Sequence, residues 1–376
     1  MRIFFVTNNY TPYSGGVISS ITATTDSLRA QGHEVFIITL DFLGTEHHTD
    51  PDYVIRIACP IKFMYKKNHM AIPWRPTHAI EQLLKHYCPD IVHVHHPFLL
   101  GVSALRAART LSIPCVFTYH TLYEQYAHYV PLPAPCVKPL IVSTVARFCN
   151  AVDGIIVPST AVKEYLCTQN IITPTKVIPS ALRSFFFTSQ TALRTIDNKT
   201  HYELLIVTRF VPEKNIPFVF DVFKQLPDTF TLTLVGYGTH YELMQELAFK
   251  KLNLSPQRVR FIHKPSLEDL LAIYRNADLF IFPSQIDTQG LVLAESMSQG
   301  LPVIALTGPG QRDIIINDYN GFIVENAHDA AAVIIKIANN PSLHKKLSIG
   351  AHSTAQLYHT DFITQELLTF YHSTDS

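Results

Sequence analysis

Short apolar runs alternate with stretches of helical period from one end of the chain to the other. In the first half, residues 2–7, 34–40, 90–95, 115–119, 154–157 and 176–179 are near-continuous in Val, Ile and Phe. That is the pattern of parallel strands buried on both faces. Between them lie helical segments such as 17–31, where Val17, Ile21 and Leu28 form one stripe and Gly32 supplies a C-terminal stop. The alternation predicts a doubly wound α/β domain. It weakens over 184–200, SFFFTSQTALRTIDNKT, which is polar and without period. A second series follows, with strands expected at 203–208, 231–236, 259–262, 278–282 and 302–305. The expected organisation is a first domain over 1–185, a linker over 186–200, a second domain over 201–358 and a C-terminal segment over 359–376. Two such domains are expected to face each other across a cleft, because open α/β sheets bind ligands at the carboxyl ends of their strands.

Composition narrows the class. With 376 residues, 47% hydrophobic and 16% charged, the chain is long enough for two ordinary domains. A chain of this size buries about three quarters of its extended surface. Thirty Lys+Arg balance thirty Asp+Glu, so no global positive field recruits nucleic acid. Low charge with 23 Phe and 17 Tyr excludes disorder. The six cysteines, at 59, 88, 115, 136, 149 and 167, show no CxxC spacing and are expected to be reduced core thiols of a cytosolic chain. The opening MRIFFVTNNY enters a strand without a signal-peptide core, and no run of about 18 apolar residues occurs. Neither export nor a membrane span is expected.

Chemistry-bearing residues fall at predicted strand ends. Gly15 and Gly16, between the first strand and first helix, suit either a phosphate at a helix N-terminus or a tight turn with positive φ. His120, in FTYHT, sits at the carboxyl edge of a central strand, as a functional group or a structural one. His93, His95 and His96 resemble a metal site, but no carboxylate or cysteine completes a tetrahedron nearby, and no metal is expected. Arg209 and Lys214, five apart in TRFVPEKN, are spaced to neutralise a diphosphate or to form a solvated charged loop. Gly236 and Gly238 end the next strand, where a base or ribose could lie against the backbone. Asp287 and Glu295 lie eight apart across a helix start at Gly290. There Leu291 and Val292 offer N–H groups to a phosphate, Asp287 can accept from sugar hydroxyls and Glu295 from a ribose. A capped surface helix with an acidic first turn would explain the two acids alone. Asp50-Pro51-Asp52 matches a metal-binding DxD string but follows a polar stretch and is expected to be a turn.

Taken in order, Gly-Gly, TYHT, Arg-x4-Lys, Gly-x-Gly and Asp-x7-Glu followed by Ser-x-Gly-Leu-Pro-Val resemble glycosyltransferase family 4 over about residues 1–355. The resemblance implies the GT-B fold: two Rossmann-like doubly wound domains, with a C-terminal helix at 360–371 crossing back onto the first. It also implies retaining transfer from a nucleotide sugar without an obligatory metal or other cofactor. TYHTLYEQYAHYV and DTQG are similar to segments of diacylglycerol glucosyltransferases. Carried over, Gly16 with Gly15 lines the phosphate-facing loop, Arg209 and Lys214 hold the donor diphosphate, and Glu295 holds the ribose. Asp287 binds hydroxyls of the transferred sugar, and His120 lies near its anomeric carbon. Two departures stand out: Asp287 replaces the usual Glu, and Gly308-Pro309-Gly310 replaces the usual Gly-Gly.

Lys62, Phe63, Met64, Tyr65, Lys66, Lys67, Trp74 and Arg75 form a basic-aromatic cluster. It suits an anionic membrane interface and equally a solvated loop over a few core aromatics. The apolar, proline-broken stretch 131–145 suits an acyl-chain groove or ordinary helix packing. With the resemblance, the expectation is transfer of a hexose, glucose from UDP-glucose, to a membrane lipid such as diacylglycerol. The enzyme would lie peripherally on the cytoplasmic membrane face. The alternatives are a soluble or glycan acceptor, and a non-catalytic nucleotide-sugar or lipid-binding module; the intact Arg209, Lys214 and Glu295 weigh against the latter.

Overall fold

The computed structural model describes the chain except residues 14, 43–48, 66–67, 126–133, 188–194 and 375–376, and the side chains of 65, 68, 69 and 134. It folds as two compact units, Met1–Arg183 with Thr360–Ser376, and Ser184–His359.

The first unit contains β1 (Arg2–Val6), β2 (Glu34–Leu40), β3 (Val54–Ile57), β4 (Ile61–Tyr65), β5 (Asn68–Ile72), β6 (Ile91–Val94), β7 (Cys115–Thr118), β8 (Gly154–Val157) and β9 (Thr175–Val177). Seven of these form one parallel sheet in the order β3-β2-β1-β6-β7-β8-β9, while β4 and β5 pair as an antiparallel hairpin. The continuous apolar runs follow from burial on both faces. In β1, Phe4 and Val6 enter one core with Val92, Val94 and Leu100. Ile3 and Phe5 enter the other, with Ile21 and Leu28 of the helix Gly16–Ala30. The C-terminal helix Thr360–Thr374 adds Ile363, Leu367, Phe370 and Tyr371 to that second core. Full burial of such a side chain stabilises by about 1.5–3 kcal/mol, enough to hold the helix on this unit. Polar contacts set its register: Thr364 Oγ1 donates to Ser27 Oγ at 3.0 Å.

The second unit contains β10 (Tyr202–Val207), β11 (Phe230–Gly236), β12 (Val259–His263), β13 (Leu279–Phe282), β14 (Val303–Leu306) and β15 (Gly321–Val324). They form a parallel sheet in the order β12-β11-β10-β13-β14-β15. Leu204, Ile206, Leu232, Leu234 and Ile281 pack against the helices Ile216–Phe223 and Ala327–Ala338. In both sheets the strand order reverses once, between β1 and β6 and between β10 and β13. Such switch points open a crevice at the strands' carboxyl ends. Of the segment expected as a linker, 188–194 lies outside the described residues. Phe186 just before it is buried, and its carbonyl accepts from Gln299 Nε2 at 2.8 Å.

Candidate functional site

At the switch point of the second unit, β10 leads into Thr208, Arg209 and Phe210. Thr208 N–H donates to Val235 O at 2.9 Å and Phe210 N–H to Tyr237 O at 2.8 Å, so this loop is zipped to the one after β11. The approach requires glycine. A Cβ on Gly236 (φ +146°) would lie 1.8 Å from Thr208 O, and one on Gly238 (φ +152°) would lie 2.4 Å from Phe210 O. On the side where their side chains would point, both glycines therefore meet backbone, and they fix the loop that carries Arg209. Arg209 itself is exposed and has no ion pair among the described residues.

Lys214 ends the short turn Pro212–Lys214, and its Nζ lies 2.5 Å from Asp287 Oδ1, with the two side chains 12% and 18% exposed. Asp287 belongs to the loop after β13, and its carbonyl accepts from Gly310 N–H at 2.9 Å. A Cβ at Gly310 would lie 2.7 Å from that same oxygen, so Gly308-Pro309-Gly310 can seat on the loop only with glycine at this position. Gly290, in the left-handed region at φ +73°, precedes the helix Leu291–Ser298. Leu291 and Val292 thus stand where helical N–H groups lack intrahelical acceptors and the dipole is positive. Glu295, one turn in, accepts at Oε2 from Tyr274 OH at 2.9 Å. Tyr274 is fully buried, and burial followed by the Glu295 carboxylate pushes its phenol well above the usual range, so it stays a donor. Cations, a helix N-terminus and an oriented carboxylate are the parts needed to hold a nucleoside diphosphate.

In the first unit, Gly15 precedes the helix Gly16–Ala30 with extended backbone, and a Cβ at Gly15 or Gly16 would meet no atom within 4 Å. A turn with positive φ is thus not what these two glycines serve. His120, just past β7, places Nε2 2.9 Å from Nδ1 of His95, just past β6. His93 is locked on both nitrogens, at 2.6 Å from Tyr371 OH and 2.6 Å from Thr118 Oγ1. Burial pushes His93 down to about 3 and His96 to about 4. Burial, then the nearby His96, pushes His120 down to about 3. These imidazoles are neutral near pH 7. Among the described residues no three His, Cys, Asp or Glu side chains gather as metal ligands. Asp50, of the DxD string, is engaged by Arg56 through two hydrogen bonds of 2.6 and 2.9 Å.

The expected basic-aromatic cluster takes a different form in its described part. Lys62 is paired with Asp41 at 2.8 Å. The cross-strand pairs Ile61–Ile72 and Phe63–Met70 share one face of the β4–β5 hairpin. All four are exposed, Ile61 by 54%, and Trp74 beyond them by 73%. Arg75 is exposed next to Trp74. Lys66, Lys67 and the side chain of Tyr65 lie outside the described residues. In the helix Ala134–Cys149, Val137 and Val145 are buried while Leu140 is exposed; residues 131–133 are not described. No helix among the described residues is long and apolar enough to cross a membrane.

The family model for Glycosyltransferase Family 4 matches residues 14–182, and that for Glycosyl transferases group 1 matches residues 193–354. The chain is 32% identical over 351 residues to the alpha-monoglucosyldiacylglycerol synthase of Streptococcus pneumoniae, covering 89% of this chain and 78% of the relative. Among solved structures it is similar to sucrose-phosphate synthase from Thermosynechococcus elongatus (TM-score 0.81, 21% identity, 99% of this chain and 98% of that one). It is also similar to the Anabaena protein Alr3699/HepE in complex with UDP (TM-score 0.78, 18% identity, 99% and 100% covered). The two parallel sheets have the architecture of these structures, and the matched models together span most of both units. The chain therefore belongs to glycosyltransferase family 4 and is a glycosyltransferase of the GT-B fold.

Proposed function

We propose that this glycosyltransferase moves glucose from UDP-glucose to a membrane lipid of the diacylglycerol type, with retention at the anomeric carbon, at the cytoplasmic membrane face. The observation that carries the donor half is the grouping in the second unit. Arg209 and Lys214 lie on one loop, Lys214 is held by Asp287 at 2.5 Å, and Asp287 stands just before the helix start at Gly290. As the bond from the anomeric carbon to the phosphate oxygen breaks, negative charge grows on the leaving diphosphate. Cations and helical N–H groups already aimed there lower the barrier without reorganising. Arg209, Lys214, Leu291 and Val292 are assigned this role, and no metal ion is required by it. Asp287 pins Lys214 and accepts from hydroxyls of the transferred sugar. Glu295, oriented by Tyr274, accepts from the ribose. Gly15 and Gly16 leave room for a phosphate, and His120 lies against the sugar. In the proposed front-face path the acceptor oxygen bonds to the anomeric carbon on the leaving side, and the departing phosphate takes its proton.

The acceptor half is supported by the name of the Streptococcus pneumoniae relative and by the β4–β5 hairpin. An exposed face of Ile61, Phe63, Met70 and Ile72, next to Trp74 and Arg75, suits the boundary of a bilayer. There apolar side chains enter the acyl region, an aromatic ring sits at the interface and a cation meets head groups. The test is to incubate the purified protein with a panel of nucleotide sugars and diacylglycerol-containing vesicles, then weigh and sequence the products. An α-linked monoglucosyl lipid formed from UDP-glucose is expected. Sugar appearing only on water-soluble acceptors would overturn the lipid assignment, and hydrolysis or binding without transfer would overturn the donor assignment.

A further inference from the structure

We propose that His96 is an acceptor-binding residue: its Nε2–H donates to an uncharged oxygen of the lipid, and the exposed Leu99 of the same loop meets the acyl portion. The inference deepens the lipid-acceptor reading above and rests on it. His96 follows β6 at the switch point of the first unit, where an open α/β sheet takes its ligand. Its ring turns one edge inward, with Nδ1 lying 3.3 Å from the Asn8 backbone nitrogen and 3.1 Å from Thr7 Oγ1. The residue is nonetheless partly exposed, so the opposite edge, which carries Nε2, is the one turned outward. Among the described residues Nε2 has no hydrogen-bond partner, and it is not sealed in the interior as His95 Nε2 is.

The inner edge decides which nitrogen of His96 carries the proton. The Asn8 backbone N–H can only donate, and Nδ1 is the acceptor it meets. A proton on Nδ1 would set two N–H groups head to head and leave a backbone donor without its partner. Thr7 is satisfied either way, because its hydroxyl can donate to Asn9 O at 3.0 Å. Burial pushes the ring down to about 4, so His96 is neutral near pH 7. The proton therefore sits on Nε2, and a neutral donor faces outward. The rest of the loop holds this face in place. Asn8 Nδ2 donates to Phe98 O and Asn8 Oδ1 accepts from Leu100 N–H, both at 3.2 Å, which clamps the turn from both sides. Between these bonds Leu99 is held at φ 50°, ψ −106°, with its side chain 45% exposed. Positive φ suits glycine, and a leucine strained there without being buried contributes little to the core; such strain persists where a site needs the shape. A Cβ at Gly101 would lie 1.8 Å from His96 O, so the next helix seats directly on the His96 backbone. An uncharged N–H and an exposed aliphatic side chain on one clamped loop match an ester carbonyl or hydroxyl joined to an acyl chain. A phosphate would call for a cation instead.

Steady-state kinetics of the full chain with UDP-glucose and diacylglycerol in detergent micelles test the assignment. His96→Asn keeps a side-chain oxygen near the Nδ1 position to accept from Asn8 and removes the outward N–H. It should raise the KM for diacylglycerol about five- to tenfold, leaving the KM for UDP-glucose within about twofold and the urea midpoint near that of the wild type. His96→Gln, which carries a donor near the Nε2 position, should stay within about threefold of the wild-type KM for diacylglycerol. Leu99→Gly relieves the strained backbone, so its urea midpoint should hold or rise while its KM for diacylglycerol increases about threefold or more. Long-range nitrogen–proton spectra of the histidine-labelled protein should show His96 protonated on Nε2; protonation on Nδ1 would overturn the inference without any variant. If the wild type transfers nothing to diacylglycerol, the lipid-acceptor reading fails and the inference falls with it. If the wild type glucosylates diacylglycerol and His96→Asn keeps the wild-type KM for it, or loses UDP-glucose affinity equally, the inference fails alone.

Discussion

Single side chains at the two switch points divide into those legible from spacing and those fixed only by folding. Arg209, Lys214 and Asp287 stand out in sequence as charged residues shortly after apolar strands, and Glu295 by its place one turn into the helix after Gly290. Tyr274, which orients Glu295 from 21 positions away, gave no such signal, since tertiary packing alone brings the two together. His95 was visible in HVHH, but its bond to His120 requires two neighbouring strand ends to align. The buried histidines make a residue-scale prediction about pH. His93, His120 and His96 have folded values near 3, 3 and 4, all below the ordinary 6.5. The unfolded chain therefore binds more protons below pH 6.5, and stability is lost as pH falls from about 6.5 toward 4. The loss is up to about 1.4 kcal/mol per pH unit for each ring. Urea unfolding of the first unit should show its midpoint dropping between pH 7 and pH 5; an unchanged midpoint would refute the buried, neutral state of these rings.

At the scale of elements, the inner strands were legible because burial on both faces writes continuous Val, Ile and Phe runs. The edge strands β3 and β15 went unread, because Arg56 interrupts the apolar run of β3 and Gly321 opens a short β15 at the margin of its sheet. The β4–β5 hairpin was read as a basic-aromatic cluster because Lys62, Lys66 and Lys67 interrupt its apolar positions. Folding turns Lys62 to Asp41 and leaves the apolar face outward. Replacing Phe63, Met70 and Trp74 together by Ser should weaken binding to anionic vesicles roughly tenfold or more, while UDP affinity holds. Equal vesicle binding in co-sedimentation would remove the hairpin from the acceptor account. The loops zipped at Gly236 offer a second check. Gly236→Ala places a Cβ against Thr208 O in a strained backbone region and should cost about 2–4 kcal/mol in urea unfolding. A variant as stable as the wild type would show that the loop bearing Arg209 can shift.

For the whole molecule, the alternation of strands and helices sufficed to predict two doubly wound domains. The family resemblance, not periodicity, suggested the return of the C-terminal helix, because its stripe of Ile363, Leu367, Phe370 and Tyr371 carries no address. Only in the folded first unit does that stripe meet Ile3, Phe5 and Ile21. The second unit begins at Ser184, and Phe186 near its start is buried, packs against Tyr274 and accepts at its carbonyl from Gln299. The central claim is that the second unit holds a nucleotide sugar by its diphosphate through Arg209 and Lys214. Calorimetric titration of the full chain with UDP and with uridine tests it most directly. UDP should bind far more tightly than uridine, and Arg209→Ala and Lys214→Ala should each weaken UDP roughly tenfold or more while leaving uridine unaffected. UDP binding that is no tighter than uridine, or that survives loss of both cations, would contradict the account.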